Sequence, residues 1–206
     1  MQVMDVEGTY DAVAEPYEAA IADELDRKPF DRDLLDALAA RFDGTVADIG
    51  CGPGHVGRYL FDRGVDVVGV DFSAGMGEVF RRRNPAMRFE RADMRALPFA
   101  DSALRGAVAF YSLLHLDDIA PALHELHRVI AAGGVLCVAL HGGEGSAHLD
   151  EWFGTRVSIG ARFWSLDALV AAIDASGFSV DTAVAREPYP EEAQTTRLYV
   201  TASRRP

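Results

Sequence analysis

The chain has 206 residues, of which 49% are hydrophobic and 25% charged, and a net charge of −12 from 20 basic and 32 acidic side chains. That length suits one domain with a full core and is marginal for two. The acidity weighs against a nucleic-acid partner, which would call for a basic footprint, and no apolar run approaches the length of a membrane span.

The opening MQVMDVEGTYD lacks the basic-then-apolar order of a secretory leader, so a cytoplasmic location is expected. Two helices come first, over Tyr10–Leu25 and Phe30–Arg41. TVADI (Thr45–Ile49) is a short buried strand, and HVGRYLFDRG is a helix that ends at Gly64. VDVVGV (Val65–Val70) is a β-branched second strand. SAGMGEVFRRR is a helix weakened by two glycines. Arg81, Arg82 and Arg83 at its end point in different directions, which suits a solvated terminus. MRFER (Met87–Arg91) and GAVAFY (Gly106–Tyr111) are the third and fourth strands. Asp117 and Asp118 open a helix that runs through HELHRVI and closes on Gly133-Gly134. His124 and His127 in it are not the HExxH pair and have no third ligand in view, so no metal site is expected. GVLCVAL (Gly134–Leu140) is the fifth strand. Ser165 caps a helix that stops at Gly177. FSVDTAVA and TTRLYVTA are joined by a Pro-containing loop, so they pair antiparallel. Cys51 and Cys137, the two cysteines, lie far apart and suggest a reducing compartment without disulfides.

Apolar strands alternating with helices mean a parallel sheet covered on both faces. Ligands in such sheets bind beyond the carboxyl ends of the strands, at the switch point. The stretch VADIGCGPGHVG lies at such an end. Gly52, Gly54 and Gly57 form a literal GxGxxG, and Asp71 ends the next strand, as in a dinucleotide site. Asp48, Gly50, Gly52 and Gly54 also read as DxGxGxG. A pyrophosphate needs free backbone N–H groups at a helix start, yet Pro53 removes one. Asp48 would repel phosphate and suit an ammonium. The loop therefore fits a nucleoside with a cationic tail.

VADIGCGPG, VVGVDFS, ADMRALPF, GAVAFYSLLHL and HRVIAAGGVLCVAL, in that order, resemble the motifs of the class I S-adenosylmethionine-dependent methyltransferases of the small-molecule type. The closing FSVDTAVAREPYP…TTRLYVTA resembles that family's final hairpin. The likeness covers about Tyr10 to Arg204. It implies a Rossmann-like α/β fold: a seven-stranded, mostly parallel sheet with the last hairpin antiparallel and helices on both faces. One methyltransferase domain over 1–206 is expected. Within it, 1–43 would form a helical lid, 44–141 the cofactor-binding core, 142–164 a substrate-cover insert, and 165–206 the final helix and hairpin.

The resemblance implies S-adenosyl-L-methionine as cofactor and S-adenosyl-L-homocysteine as product. Gly50, Gly52 and Gly54 would pass close to the ribose and amino-acid tail, with Asp48 near the methionine ammonium. Asp71 would accept both ribose hydroxyls. Phe72 and Met76 would bracket the adenine, Asp93 would take its amino group, and the Met94 backbone a ring nitrogen. Tyr111 and Ser112 would lie under the sulfonium, and Tyr10 and Tyr17 would belong to the lid. Each has a plainer reading. Phe72 and Met76 also read as core, Asp93 as a turn former, and the two tyrosines as the packed face of an amphipathic helix.

A hydroxyl acceptor would need a general base. His115, following the fourth strand in SLLHL, is the first candidate; His141, ending the fifth, is the second. His55 begins a helix and is expected to cap it or face solvent. DFSAG lacks the first glycine of a nucleophile elbow, and Cys51 reads as packing. The insert carries Trp152, Phe153, Phe163 and Trp164, which suit a flat or apolar acceptor or seal the core. Arg156, Arg162 and Arg197 read as contacts for an acidic acceptor or as balance for an acidic surface. The expected partner is a small-molecule acceptor, not nucleic acid or membrane, on a monomer or homodimer. Two alternatives stay open: a chain of this fold that binds the cofactor without transferring methyl, and a nicotinamide-dependent reductase. Against the reductase stands the lack of a Tyr-x-x-x-Lys pair, since Lys28 is the only lysine.

Overall fold

β-Branched and small apolar residues dominate the strands at the centre of the sheet. β1 (Val46–Ile49) and β2 (Val67–Asp71) are buried on both faces throughout, as strands of a covered parallel sheet must be. The computed structural model describes residues 5–206. The first four residues of the MQVMDVEGTYD stretch lie outside them. Seven strands form one sheet in the order β3-β2-β1-β4-β5-β9-β8, with β3 (Arg88–Arg91), β4 (Leu104–Phe110) and β5 (Ile130–Gly142). The pairs from β3 to β5 are parallel. β8 (Phe178–Arg186) and β9 (Thr196–Arg204) are antiparallel to each other, and β9 is antiparallel to β5.

The period-2 alternation of side chains sorts each strand between two cores. Ala47, Ile49, Val68, Val70, Leu136 and Val138 face one, which α5 (Ala120–Val129) and α6 (Leu166–Ala175) cover. Val46, Val67, Val135 and Cys137 face the other, covered by α2 (Pro29–Ala39) and α3 (His55–Phe61), together with Phe80 of α4 (Ala74–Arg83). Gly69 makes the second core possible: a Cβ there would lie 2.5 Å from the Phe80 ring. The order reverses between β1 and β4, so the crevice of the switch point opens beyond Ile49 and Phe110.

One local expectation changes. α5 does not close on Gly133-Gly134; it ends at Val129, and Ile130 is already extended and paired with Leu104. Consecutive β-branched residues favour the strand, and the glycines sit inside β5, where a Cβ on Gly134 would meet the Arg105 carbonyl at 2.8 Å. The insert is a separate antiparallel hairpin, β6 (Ser146–Trp152) with β7 (Thr155–Arg162), turned through Phe153 and Gly154 at positive φ. The arginines ending α4 are exposed, as the sequence suggested, and two of them also pair with α1 (Val6–Ile21). Arg82 makes two 2.8 Å contacts with Glu15, and Arg83 pairs with Glu18.

α1 lies across the switch point. Asp5 caps it by accepting from the Gly8 N–H at 2.9 Å. Its Asp11 accepts from Ser73 Oγ at 2.5 Å and from the Gly75 N–H at 2.9 Å, at the start of α4. On its other side Val13 packs with Val157 and Ile159 of β7.

Candidate active site

The loop after β1 is held in an unusual backbone shape. Gly50, Gly52 and Gly54 have φ of +64°, +53° and +88°, a region closed to most L-residues. Buried acids fix this shape. Asp71 Oδ2 accepts from the Gly52 N–H at 2.8 Å and Oδ1 from the Ser73 N–H at 2.9 Å. Asp48 Oδ2 accepts from the Gly57 N–H at 2.8 Å, tying the strand end to α3. Burial raises both carboxyl groups. Asp48 is pushed up to about 6, with Asp71 adding to the effect and His55 and the Gly57 N–H opposing it.

A trough runs from this loop along the strand ends. Its wider end, about 230 Å³, is lined by Phe72, Ala92, Asp93, Met94 and Leu116. Its narrow end, about 50 Å³, is lined by Asp48, Gly52, Tyr10, Tyr17 and Tyr111. Gly50, Asp71, Phe72, Met94, Ser112 and His115 border both ends. Ser112 Oγ donates to the Ile49 carbonyl at 2.7 Å, cross-linking the ends of β1 and β4. Tyr111 holds φ of +54° at the end of β4, a strained position for an aromatic residue.

The trough thus gathers Tyr10, Tyr17, Asp48, Gly50, Gly52, Asp71, Phe72, Asp93, Met94, Tyr111, Ser112 and His115. Met76 and Gly54 are not among its lining. Met76 is fully buried with Ala14 and Val79 under α1, in the plainer role the sequence left open. Gly54 opens α3, where a Cβ would lie 2.5 Å from the Phe80 ring. Both Asp93 oxygens already accept from Arg95. Cys51 is buried, and burial raises its thiol far above the usual range, so it packs rather than reacts. His55 neither caps α3 through its side chain nor faces solvent; its Nε2 lies 2.9 Å from Glu24.

His115 is held at both nitrogens. Nδ1 lies 2.7 Å from the Gly160 carbonyl of β7 and Nε2 lies 2.7 Å from the Tyr10 hydroxyl. A carbonyl only accepts, so Nδ1 carries the proton and Nε2 accepts from Tyr10. Burial lowers the imidazole pKa, which keeps it neutral. Tyr10, Tyr17 and Trp152 form a cluster of mutually edge-on rings, with centroids 5.2–5.8 Å apart. Beyond that cluster opens a second cavity of about 340 Å³, lined by Leu149, Trp152, Ile159 and Phe163 of the insert. A third, of about 260 Å³, is polar and lined by Lys28, Glu192 and Arg197. Tyr17 and Tyr111 border all three spaces.

Sequence reasoning missed the β6–β7 hairpin and the polar cavity. SAHLDEW-FG-TRVSIGAR does alternate around a glycine turn, but Phe stands where Asn or Asp usually signals such a hairpin. The polar cavity unites Lys28 with Glu192 and Arg197, which share no local pattern.

The fold and the order of the motifs are similar to those of the class I S-adenosylmethionine-dependent methyltransferases. Residues 46–134 match the family model described as a methyltransferase domain. The chain is 38% identical over 138 residues to a demethylmenaquinone methyltransferase of Beutenbergia cavernae, covering 66% of this chain and 57% of that protein. It is 36% identical over 113 residues to a malonyl-[acyl-carrier protein] O-methyltransferase of Enterobacter lignolyticus, covering 55% and 45%. The match thus spans about half the length of these curated relatives. In fold it is similar to the DhpI–SAH complex, with a TM-score of 0.76 and 22% identity, covering 97% of this chain and 95% of that one.

The trough's donor set suits the cofactor of this class. A buried carboxylate at Asp71 can accept from a vicinal diol, and Phe72 and Met94 offer an apolar slot for a base. Asp48 supplies an acid beside the narrow end. Two buried acids and a proline in the loop do not suit a pyrophosphate. Among the described residues no group of three or more metal-ligating side chains is poised for an ion, and no helix is long and apolar enough to cross a membrane.

Proposed function

We propose that the chain is an S-adenosylmethionine-dependent methyltransferase that moves a methyl group to an oxygen or nitrogen of a small molecule. One observation carries this: the cofactor trough and the 340 Å³ cavity meet at Tyr10, Tyr17, Tyr111 and His115. When bound, the cofactor supplies a methyl group on a sulfonium, with a good leaving group. The protein's work is alignment. Asp71 and the glycine loop fix the nucleoside, and Asp48 faces the tail. The electron-rich ring faces of Tyr10, Tyr17 and Trp152 favour a cation at the junction. α1 and the β6–β7 hairpin exclude water from it. A proton leaving the acceptor passes through the Tyr10 hydroxyl to Nε2 of His115. The half-open, mostly apolar cavity fits a small acceptor, and the proposed setting is the cytoplasm, away from nucleic acid and membranes.

Calorimetric titration with S-adenosylmethionine, S-adenosylhomocysteine and NADH, on wild type and Asp71→Ala, tests the reading. Hydrogen bonds to charged groups are worth roughly 1.5–3 kcal/mol each, so the variant should lose at least about a hundredfold in affinity for the adenosyl ligands. Binding of NADH alone would point to the reductase instead. Cofactor binding without transfer to any acceptor in a broad screen would point to a non-transferring member of the fold.

A further inference from the structure

We infer that the methyl acceptor is an amphipathic acid, with an apolar ring system in the hairpin cavity and an anionic group held by Lys28, His141 and Arg197. This deepens the reading just given and rests on it. The apolar and polar cavities adjoin, with Tyr17, Tyr111, His141 and Ala193 as common wall. Leu149, Trp152 and Phe163 line the first. The second holds buried cations, Lys28 at 9% and Arg197 at 3% exposure.

Their carboxylate partners are already engaged. Glu192 accepts both Arg186 N–H groups, at 2.7 and 2.9 Å, and the Tyr189 N–H at 2.7 Å. Arg197 is 3.5 Å from Glu192, and its terminal nitrogens donate to the Ala193 and Thr195 carbonyls and to Thr195 Oγ1. Its Nε is buried without a hydrogen-bond partner. Glu24 is shared between Lys28 at 2.8 Å and His55 at 2.9 Å. Asp31, nearly fully buried, lies 3.8 Å from Arg186, and burial raises its carboxyl while Lys28 and Arg186 oppose the shift. Arg27 and Glu191 also line the polar cavity and offset one another, so what an anion meets is Lys28 and Arg197, two buried cations whose carboxylate partners Glu24 and Glu192 are shared with His55 and Arg186.

His141 reports the same field. Burial, Arg197 and Lys28 together push it down to about 4, so it is a neutral ring at the wall. Its Nδ1 is 2.7 Å from Thr195 Oγ1. That hydroxyl accepts from Arg197 and is free to donate its own proton to Nδ1, the tautomer that leaves the ring proton on Nε2 for an anion. Among the described residues nothing accepts from that Nε2. The polar cavity therefore offers one N–H donor and two buried cations to an anion, next to a slot for rings. The chain places its one lysine here and uses arginine everywhere else.

The test uses 2-naphthoate and its neutral isostere 2-naphthamide, titrated into protein saturated with S-adenosylhomocysteine. The acid should bind at least about tenfold tighter than the amide. Lys28→Met should remove at least about tenfold of the acid's affinity and leave the amide and S-adenosylhomocysteine unchanged. His141→Leu, which keeps the wall's shape, should also shrink the acid-to-amide ratio, and serves alone if Lys28→Met does not fold. Trp152→Ala should weaken both probes alike. Equal affinity of acid and amide, or equal loss of both in Lys28→Met, overturns the inference. Failure of the wild type to bind S-adenosylhomocysteine overturns the proposed function instead.

Discussion

The Tyr10 hydroxyl and Nε2 of His115 stand 2.7 Å apart, joining residues separated by 105 positions in the chain. The bond links α1 to the segment after β4, so the residue expected to act as a base is capped by the element that covers the site. If the two act as one proton path, removing either should cost about as much as removing both. Tyr10→Phe and His115→Ala should each lower kcat by about 10²–10⁴, the usual range for general-base removal. The double variant should fall little further. Because burial lowers the His115 pKa, the acidic limb of the kcat/KM profile should lie below the ordinary histidine value of about 6.5. Additive losses would separate the two residues into independent roles.

Asp48 sets stability against binding. Its carboxyl titrates at about 6 in the folded protein, against about 3.9 unfolded. A raised carboxyl holds its proton more tightly when folded. Its stabilising contribution is complete below about pH 4 and is lost as pH rises through about 6. Asp48→Asn keeps an acceptor for the Gly57 N–H and removes the buried charge. The variant should melt higher than wild type at pH 7.5, with the difference shrinking toward pH 4. Its affinity for S-adenosylmethionine should fall at least about tenfold if, as proposed, this acid faces the cofactor's ammonium. Thermal melts across pH, with calorimetry at pH 7.5, would check both halves.

Two glycines with positive φ should respond very differently to alanine. Gly50 has φ of +64°, and a Cβ there would lie 2.3 Å from Ser112 Cβ, displacing the hydroxyl that bonds the Ile49 carbonyl. Gly64 has φ of +85° with open space around it. Gly64→Ala should cost about 1 kcal/mol of left-handed strain. Gly50→Ala adds an overpacking cost of about 1–3 kcal/mol, so denaturant unfolding should rank it clearly below Gly64→Ala. Equal destabilisation would mean that the glycine loop relaxes freely.

What the sequence showed and what it hid divide along one physical line. β1, the glycine loop and Asp71 were legible because their constraints are local: a buried β-branched run, backbone that only glycine adopts, an acid closing the next strand. The antiparallel hairpin of β8 and β9 was legible because no helix fits between them. Met76 was not, since facing a trough or the underside of α1 depends on which way α4 turns. The pairs of Arg82 with Glu15 and Arg83 with Glu18, and the union of Lys28 with Arg197, join distant segments that only the fold brings together. His55 looked free because its partner, Glu24, lies in a turn between α1 and α2.

The attachment of α1 to the sheet should depend on one residue more than on the ion pairs around it. Asp11 accepts from Ser73 Oγ and the Gly75 N–H at the start of α4, where the helix dipole also favours a carboxylate. Glu15 and Arg82 are mostly exposed, and exposed pairs contribute about 0–1 kcal/mol. Asp11→Ala removes two hydrogen bonds and leaves the Ser73 cap on Met76 in place. Amide exchange over residues 6–21 should quicken about tenfold or more in Asp11→Ala and change little in Glu15→Ala. Affinity for S-adenosylhomocysteine should fall in parallel, since Tyr10 and Tyr17 ride on that helix. Unchanged exchange in Asp11→Ala would mean that the packing of Val13 against Val157 and Ile159, rather than the polar contact, holds α1 over the site.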